Sequence, residues 1–386
     1  MIHPVGEHFV LGFHGFILPG WVREFEQEFG LGGLILFDRD VARGGPRNIE
    51  GPEQVRDLCA EIHALPSHPL VFVDQEGGKV RRLKPAAGFR DFPSAADFAA
   101  LPPAEARRLA LESFSEMKEL GIDFDLAPVV DLNTNPDNPN IGAIGRSYSA
   151  DPAEVRRCVA VLGEVARRVG LGLCLKHYPG LGGATVDSHR ALTDITGTIS
   201  DEQLRLFTEL CNSTFGSAIL LSHGLVRDWD AQWPVSVSEP AIRALRTSLP
   251  DALLITDDLQ MMGLQAICTT EAASLRALSA GIDLLCIGNN LLEQAEECLR
   301  TAERLCGDLD ADHALADRLA ASRERIRQRK QLVGSAYRPS RRASTPKTSS
   351  MLRRDTSAVG SSAEPWNVPG YECSSTETPA CSRRSP

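Results

Sequence analysis

The residue types best suited to chemistry lie in two widely separated stretches. The first ends in Asp187 and His189, closing the segment Lys176-His177-Tyr178-Pro179-Gly180-Leu181-Gly182-Gly183-Ala184-Thr185-Val186-Asp187-Ser188-His189. In extended backbone, residues two apart point the same way, so the Asp187 carboxylate can hydrogen-bond the His189 ring. A carboxylate beside an imidazole fixes its tautomer and favours its protonated form. Such a pair can act as general acid and then general base near neutral pH. The plainer alternative is a surface contact in a polar loop. The glycines and proline of this stretch read as a long flexible loop, a form suited to a lid.

The second stretch is Ile255-Thr256-Asp257-Asp258-Leu259-Gln260-Met261. A carboxylate at a strand end can attack an anomeric carbon, the nucleophile that sugar hydrolysis needs opposite an acid. Two adjacent acids repel and point differently, so one is expected to face a pocket and the other to cap the following helix. Alternation along the strand leaves open which is which.

Two further segments combine acids with arginine. In Asp74-Gln75-Glu76-Gly77-Gly78-Lys79-Val80-Arg81-Arg82-Leu83, paired glycines permit close backbone approach or positive φ. Acids and Arg of this kind suit bidentate contacts with sugar hydroxyls or a substrate carboxylate. The Asn-, Asp- and Pro-rich stretch from Asp131 to Pro139 builds successive turns that would hold Arg146 nearby. Taken alone, either segment could be only a rigid loop with structural charges.

These residues need a scaffold that brings them together. Short apolar runs occur at 9–15, 33–37, 70–74, 126–132, 172–178, 218–223, 252–258 and 283–289. Eight near-continuous apolar runs are expected of a parallel sheet covered on both faces. Helical patterns fall between them. Leu111, Phe114, Met117 and Leu120 recur every three residues, and Val155, Val159, Leu162, Val165 and Val169 form one stripe. The latter follows Asp151-Pro152-Ala153-Glu154, an N-cap with Pro at N1. Ser200-Asp201-Glu202-Gln203 reads as a capping box. The predicted fold is α/β, a single (β/α)₈ barrel of TIM type. A doubly wound open sheet has a similar local pattern, but no Gly-rich dinucleotide or P-loop fingerprint follows the early strands. Asp74, Asp131, Lys176, His177, His223, Asp257 and Asn289 all sit at or just past the ends of apolar runs, which converge on one mouth in a barrel.

Composition narrows the function classes. The 386 residues are 42% hydrophobic and 24% charged, as in ordinary globular proteins, and the net charge of -10 argues against nucleic acid as a partner. No run is long enough for a membrane span. The N-terminus lacks the pattern of a secretory signal, so a cytoplasmic location is expected. The ten cysteines form no CxxC pair, so neither disulfides nor a metal site is expected. From residue 334 the chain becomes rich in Ser, Thr, Arg and Pro, with eight Lys/Arg against four acids. This composition predicts a barrel over 1–333 and a disordered tail over 334–386.

Together the four segments resemble glycoside hydrolase family 3, specifically its single-domain bacterial β-N-acetylhexosaminidases of peptidoglycan recycling. The match extends over most of 9–290 in the same order and includes GGLILF and AGIDLLCIGNN. The resemblance implies a retaining exo-glycosidase that releases terminal N-acetyl-β-hexosamine, from a GlcNAc-containing muropeptide or chito-oligosaccharide, with no cofactor and no metal. It makes Asp257 the nucleophile, His189 the acid/base and Asp187 its orienting partner. Asp74, Arg82, Arg146, Lys176 and His177 become contacts to the terminal sugar. The chain departs from the family pattern KHFPGHG at Tyr178, where Phe is usual, and at Leu181, where His is usual. Other activities on the same scaffold would be a β-glucosidase or a β-N-acetylglucosaminide phosphorylase. A non-catalytic sugar-binding barrel is the reading from a different class. Because Lys176 and His177 are neighbours, a regular strand would turn them to opposite faces. For both to touch one sugar the strand must bend or end there.

Overall fold

The computed structural model describes residues 4–41, 44–186, 192–290 and 293–334, all within one compact unit. The expected tail lies outside the described residues, apart from Gly334. Eight strands and the helices between them alternate along the chain: β1 (Phe9–Gly12), α1 (Gly20–Phe29), β2 (Gly33–Leu36), α2 (Pro52–His63), β3 (Leu70–Val73), α3 (Pro103–Leu120) and β4 (Phe124–Asp125). Then follow α4 (Pro152–Val169), β5 (Gly172–Tyr178), α5 (Asp201–Ser213), β6 (Ala218–Leu221), α6 (Glu239–Ser248), β7 (Leu253–Thr256), α7 (Thr270–Ala280), β8 (Leu285–Ile287), α8 (Ala295–Ala311) and α9 (His313–Gly334).

The strands are all parallel and pair in chain order from β1 to β7, with β8 on the free side of β1. A shorter seam joins β7 to β8, where Ile255 bridges Leu284 and the Thr256 amide donates to the Leu284 carbonyl. The sheet thus curls into the expected barrel.

Alternation sorts the side chains into two layers. Val10, Ile35, Leu70, Phe72, Phe124, Cys174, Ala218, Leu220, Leu253, Ile255 and Cys286 fill the interior. Phe9, Leu11, Leu34, Leu36, Val71, Val73, Leu173, Leu175, Ile219, Leu221, Leu254 and Leu285 pack outward against the helices. Inside, Phe72 and Phe124 stack with centroids 5.3 Å apart. Gly33 and Gly172 make room for them, since a Cβ at either would come within 2.5 Å of a ring. Ile326 and Val333 of α9 join the same interior cluster. The ammonium of Lys330 in that helix bonds the carbonyls of Leu31 and Ser67, which precede β2 and β3. Helix α9 therefore closes the end of the barrel opposite the strand C-termini.

The fourth strand departs from its sequence expectation. The run 126–132 is not a strand, and the ladder covers only Phe124–Asp125. Pro128 has no amide proton to give, and the chain beyond Asp125 keeps only scattered contacts with β5, such as the Val129–Lys176 bridge. Apart from β5, which fills its run to Tyr178, the other strands end one to three residues short of the apolar runs that announced them, and the residues past the ends form the mouth.

His8, just before β1, is fully buried, and its Nδ1 donates to the Asp283 carbonyl at 2.9 Å. Burial lowers the ring's pKa from the usual 6.5 to about 4, so it is neutral in the folded protein. An unfolded chain binds a proton here that the native state refuses. Stability from this residue is therefore complete above pH 6.5 and declines as pH falls toward the folded value. About 2 kcal/mol should be lost between pH 7 and pH 5 through this residue alone. His8→Asn keeps a donor for the carbonyl but does not titrate, and urea unfolding at the two pH values should show a smaller decline in that variant.

Candidate active site

The C-terminal ends of β3, β4 and β5 converge on a buried ion network. The Lys176 ammonium, 3% exposed, sits 2.7 Å from Asp74 Oδ1 and 2.6 Å from Glu76 Oε1. Arg82 donates to the other Asp74 oxygen at 3.1 Å. Arg146 grips Glu76 with two parallel bonds of 2.7 and 2.8 Å, and its Nη2 also reaches His177 Nε2 at 3.0 Å. His177 Nδ1 pairs with Asp131 Oδ2 at 2.8 Å. The Asp131 carboxylate, 0% exposed, also accepts the backbone amides of His177 and Leu181. Asp74, Arg82, Arg146, Lys176 and His177, scattered in the sequence, thus form one connected cluster.

The charges in this cluster stabilise one another. Burial alone would raise the Asp74 carboxyl, but Lys176 and Arg82 outweigh it and hold the group well below the ordinary carboxylate range. Glu76 behaves likewise: burial opposes its ionisation, and Arg146 and Lys176 overcome that opposition. Burial would lower the Lys176 ammonium, yet its two carboxylates raise it. At Asp125, beneath the cluster, burial outweighs the Gln75 amide and the pull of Lys176 and pushes the carboxyl up to about 7. Its Oδ1 accepts the Gln75 amide at 2.9 Å. Gln75 in turn takes the backbone amides of Arg82 and Leu83 on its side-chain oxygen. That bond set shapes the hairpin from which Arg82 hangs.

Sequence reasoning places Asp131 at the mouth and Glu76 in a segment suited to sugar contacts, but singles out neither as a partner of the cations or of His177. A usable signal exists for Glu76: two residues beyond Asp74, it lies on the same side of an extended chain. Its presence also changes the reading of Arg146, whose bidentate fork grips a protein carboxylate. Lys176 and His177, neighbours in sequence, both join the network. The register of β5 against β6 shifts between Leu175 and Tyr178, and the Lys176–His177 peptide is cis.

The loop after β5 is tethered rather than free over its described part. Asn138 Nδ2 donates to the Leu181 carbonyl at 2.6 Å, and the Asn135 amide donates to Gly182 O. Gly182 itself presses on the chain after β4, because a Cβ there would overlap the Leu132 carbonyl oxygen. Gln203 does not close the expected capping box with its side chain. Ser200 caps α5 by accepting the Gln203 amide, while the Gln203 side chain bonds the Leu132 amide and the Val130 carbonyl. Asp187 and His189 lie outside the described residues. The described chain leaves at Val186 and re-enters at Leu192. Thr193 and Asp194 then pair with Gly224 and Leu225, just past β6.

At the end of β7 the two adjacent acids differ in surroundings. Asp258 Oδ1 accepts the amides of Gly288 and Gln260, both at 3.0 Å, and burial raises its carboxyl. It ties the β7 loop to β8. Asp257 is half-buried, and among the described residues its Oδ1 accepts the Asp258 amide at 2.9 Å. Among the described residues no protein group donates to its Oδ2. Of the remaining residues at the mouth, Asn289 is structural, with its amide on the Gly12 carbonyl and its side-chain oxygen taking the Gln294 amide. His223 bonds Ser236 and the Asp258 carbonyl.

Comparison with known proteins agrees with this architecture. The model of the glycosyl hydrolase family 3 N-terminal domain matches residues 22–328. A beta-hexosaminidase of Pseudomonas aeruginosa is 31% identical over 283 residues, covering 71% of this chain and 80% of that protein. Beta-hexosaminidase LpqI of Mycobacterium tuberculosis is 33% identical over 254 residues, 60% of this chain and 63% of that one. Among solved structures, a family 3 beta-N-acetylglucosaminidase from Paenibacillus sp. superposes with a TM-score of 0.77 at 26% identity, over 89% of this chain and 64% of its own. Beta-N-acetylhexosaminidase from Beutenbergia cavernae gives 0.73 at 25% identity, over 85% and 97%.

Proposed function

Because this chain belongs to glycosyl hydrolase family 3, we propose that it hydrolyses terminal N-acetyl-β-hexosamine residues by double displacement with retained configuration. Asp257 attacks the anomeric carbon through Oδ2 while His189, as imidazolium oriented by Asp187, protonates the departing oxygen. Water, activated by the now neutral His189, then cleaves the glycosyl-aspartate ester. Asp74, Arg82, Lys176, Arg146 and His177 hold the terminal sugar, with Glu76 and Asp131 fixing the cations and the ring. The observation that carries this reading is the contrast at the end of β7. One acid is consumed by backbone amides, and the other presents an oxygen with no protein partner among the described residues.

The substrates we propose are GlcNAc-containing muropeptides or chito-oligosaccharides. A cytoplasmic location suits the buried free thiols of Cys59, Cys158, Cys174, Cys211, Cys286 and Cys298. Among the described residues no helix is long and apolar enough to cross a membrane.

A nitrophenyl glycoside panel tests the activity. The N-acetyl-β-glucosaminide should be cleaved with a kcat/KM at least about a hundredfold above the β-glucoside, the order expected when a site is built around one substituent. Equal rates, or preference for the glucoside, would remove the 2-acetamido group from the recognition scheme.

A further inference from the structure

We propose that His223 is a positioning residue for the nucleophile, acting through the main chain of Asp258; this rests on the reading of Asp257 above. His223 lies two residues past β6, is 2% exposed, and directs its two ring nitrogens at Ser236 and Asp258. Its Nε2 is 2.8 Å from the Asp258 carbonyl oxygen. A carbonyl can only accept, so Nε2 carries the proton. Its Nδ1 is 2.6 Å from the hydroxyl of Ser236, itself 0% exposed, which can donate to the ring's free lone pair. The ring is therefore held at both nitrogens.

The residue it grips is the one that aims the nucleophile. The Asp258 amide donates to Asp257 Oδ1, and the Asp257 amide is anchored on the Leu221 carbonyl at 2.9 Å. Asp258 is consequently fixed at three points: its carbonyl by His223 and by the Met261 amide at 3.0 Å, its carboxylate by Gly288 and Gln260, and its amide against Asp257. With Oδ1 immobilised, Oδ2 keeps one orientation toward the mouth. Without His223 the carbonyl of the Asp258–Leu259 peptide keeps only the Met261 amide, and the freedom gained there passes through the Asp258 backbone torsions to the Asp257–Asp258 peptide, whose amide aims the nucleophile, and spreads the directions open to Oδ2. A change of this kind acts on the attacking geometry and not on ground-state contacts to the sugar, so it lowers kcat and spares KM.

The experiment compares His223→Leu with His223→Gln in the full chain, using the nitrophenyl N-acetylglucosaminide. Glutamine places an amide N–H near the position of Nε2 and can restore the bond to the carbonyl, whereas leucine cannot. We expect the leucine variant to lose about thirtyfold in kcat with KM changed less than twofold. The glutamine variant should return to within about fivefold of wild type. The rate at which a slow fluorinated sugar labels Asp257, read by peptide mass spectrometry, should fall in parallel with kcat in the leucine variant. Thermal midpoints identify any loss due to unfolding, and the glutamine variant then keeps the comparison informative. Equal kcat in both variants, a loss expressed mainly in KM, or unchanged labelling of Asp257 in the leucine variant would overturn the positioning role. Labelling of a residue other than Asp257 in the wild-type protein would instead overturn the reading on which it rests.

Discussion

Replacing Asp257 with alanine should lower kcat by about four orders of magnitude while leaving the fold intact, the loss typical of deleting a catalytic group that forms or activates a covalent intermediate. The side chain is half-buried and its one described bond comes from a neighbouring backbone amide, so little packing is lost. Asp258→Asn provides the contrast. That carboxylate accepts the amides of Gly288 and Gln260, and the amide oxygen of asparagine can still accept them. Its expected effect is less than about tenfold in kcat, with a modest loss of stability on the order of 1 kcal/mol from the weaker bonds. Steady-state kinetics on the two variants, with urea unfolding beside them, distinguish catalysis from scaffolding. The reverse pattern, with Asp258 indispensable and Asp257 tolerant, would exchange their roles.

The second large effect is expected at Lys176. Its ammonium, 3% exposed, neutralises Asp74 and Glu76 together. Lys176→Met preserves most of the volume and leaves two buried carboxylates short of a partner. Breaking a buried pair from one side costs about 3–5 kcal/mol, and substrate affinity should fall with it if the network holds the sugar. The pH dependence has a definite sign. In the wild type both carboxyls are held below their ordinary values, so their stabilisation is present above the usual carboxylate range and lost as pH falls through the folded values. In the variant, acidification protonates the stranded carboxylates and relieves them. The stability deficit should therefore be greatest near neutrality and shrink as pH is lowered. Urea midpoints measured from pH 7 to pH 4 check this. A deficit that does not depend on pH would point to lost packing rather than lost charge.

Much of this architecture is legible in the amino-acid order because barrel strands are short, apolar and followed by polar residues. Seven of the eight strands lie within the apolar runs that announce them, and α4 starts on its Asp151 cap as its sequence suggests. The fourth run misleads because apolar character does not reveal whether the backbone can pair, and Pro128 cannot donate. In the site, the residues at strand ends are visible in the sequence, but their partners are not. Which carboxylate Lys176 neutralises depends on Asp74 and Glu76 meeting it across more than one strand, and nothing local encodes that meeting. The same holds for Gln203: its place at N3 of α5 suits a cap, yet its side chain is drawn to the backbone after β4. The choice between Asp257 and Asp258 lies beyond any alternation rule. It depends on Gly288, from beyond β8, joining the nearby Gln260 in presenting amides to one of the two acids.

The most direct measurement is to incubate the protein with a 5-fluoro N-acetylglucosaminyl donor, digest it, and sequence the labelled peptide by tandem mass spectrometry. The mechanism requires a single glycosyl adduct on Asp257, formed in step with loss of activity. No adduct at any extent of inactivation, or one on Asp258 or any other residue, would contradict it.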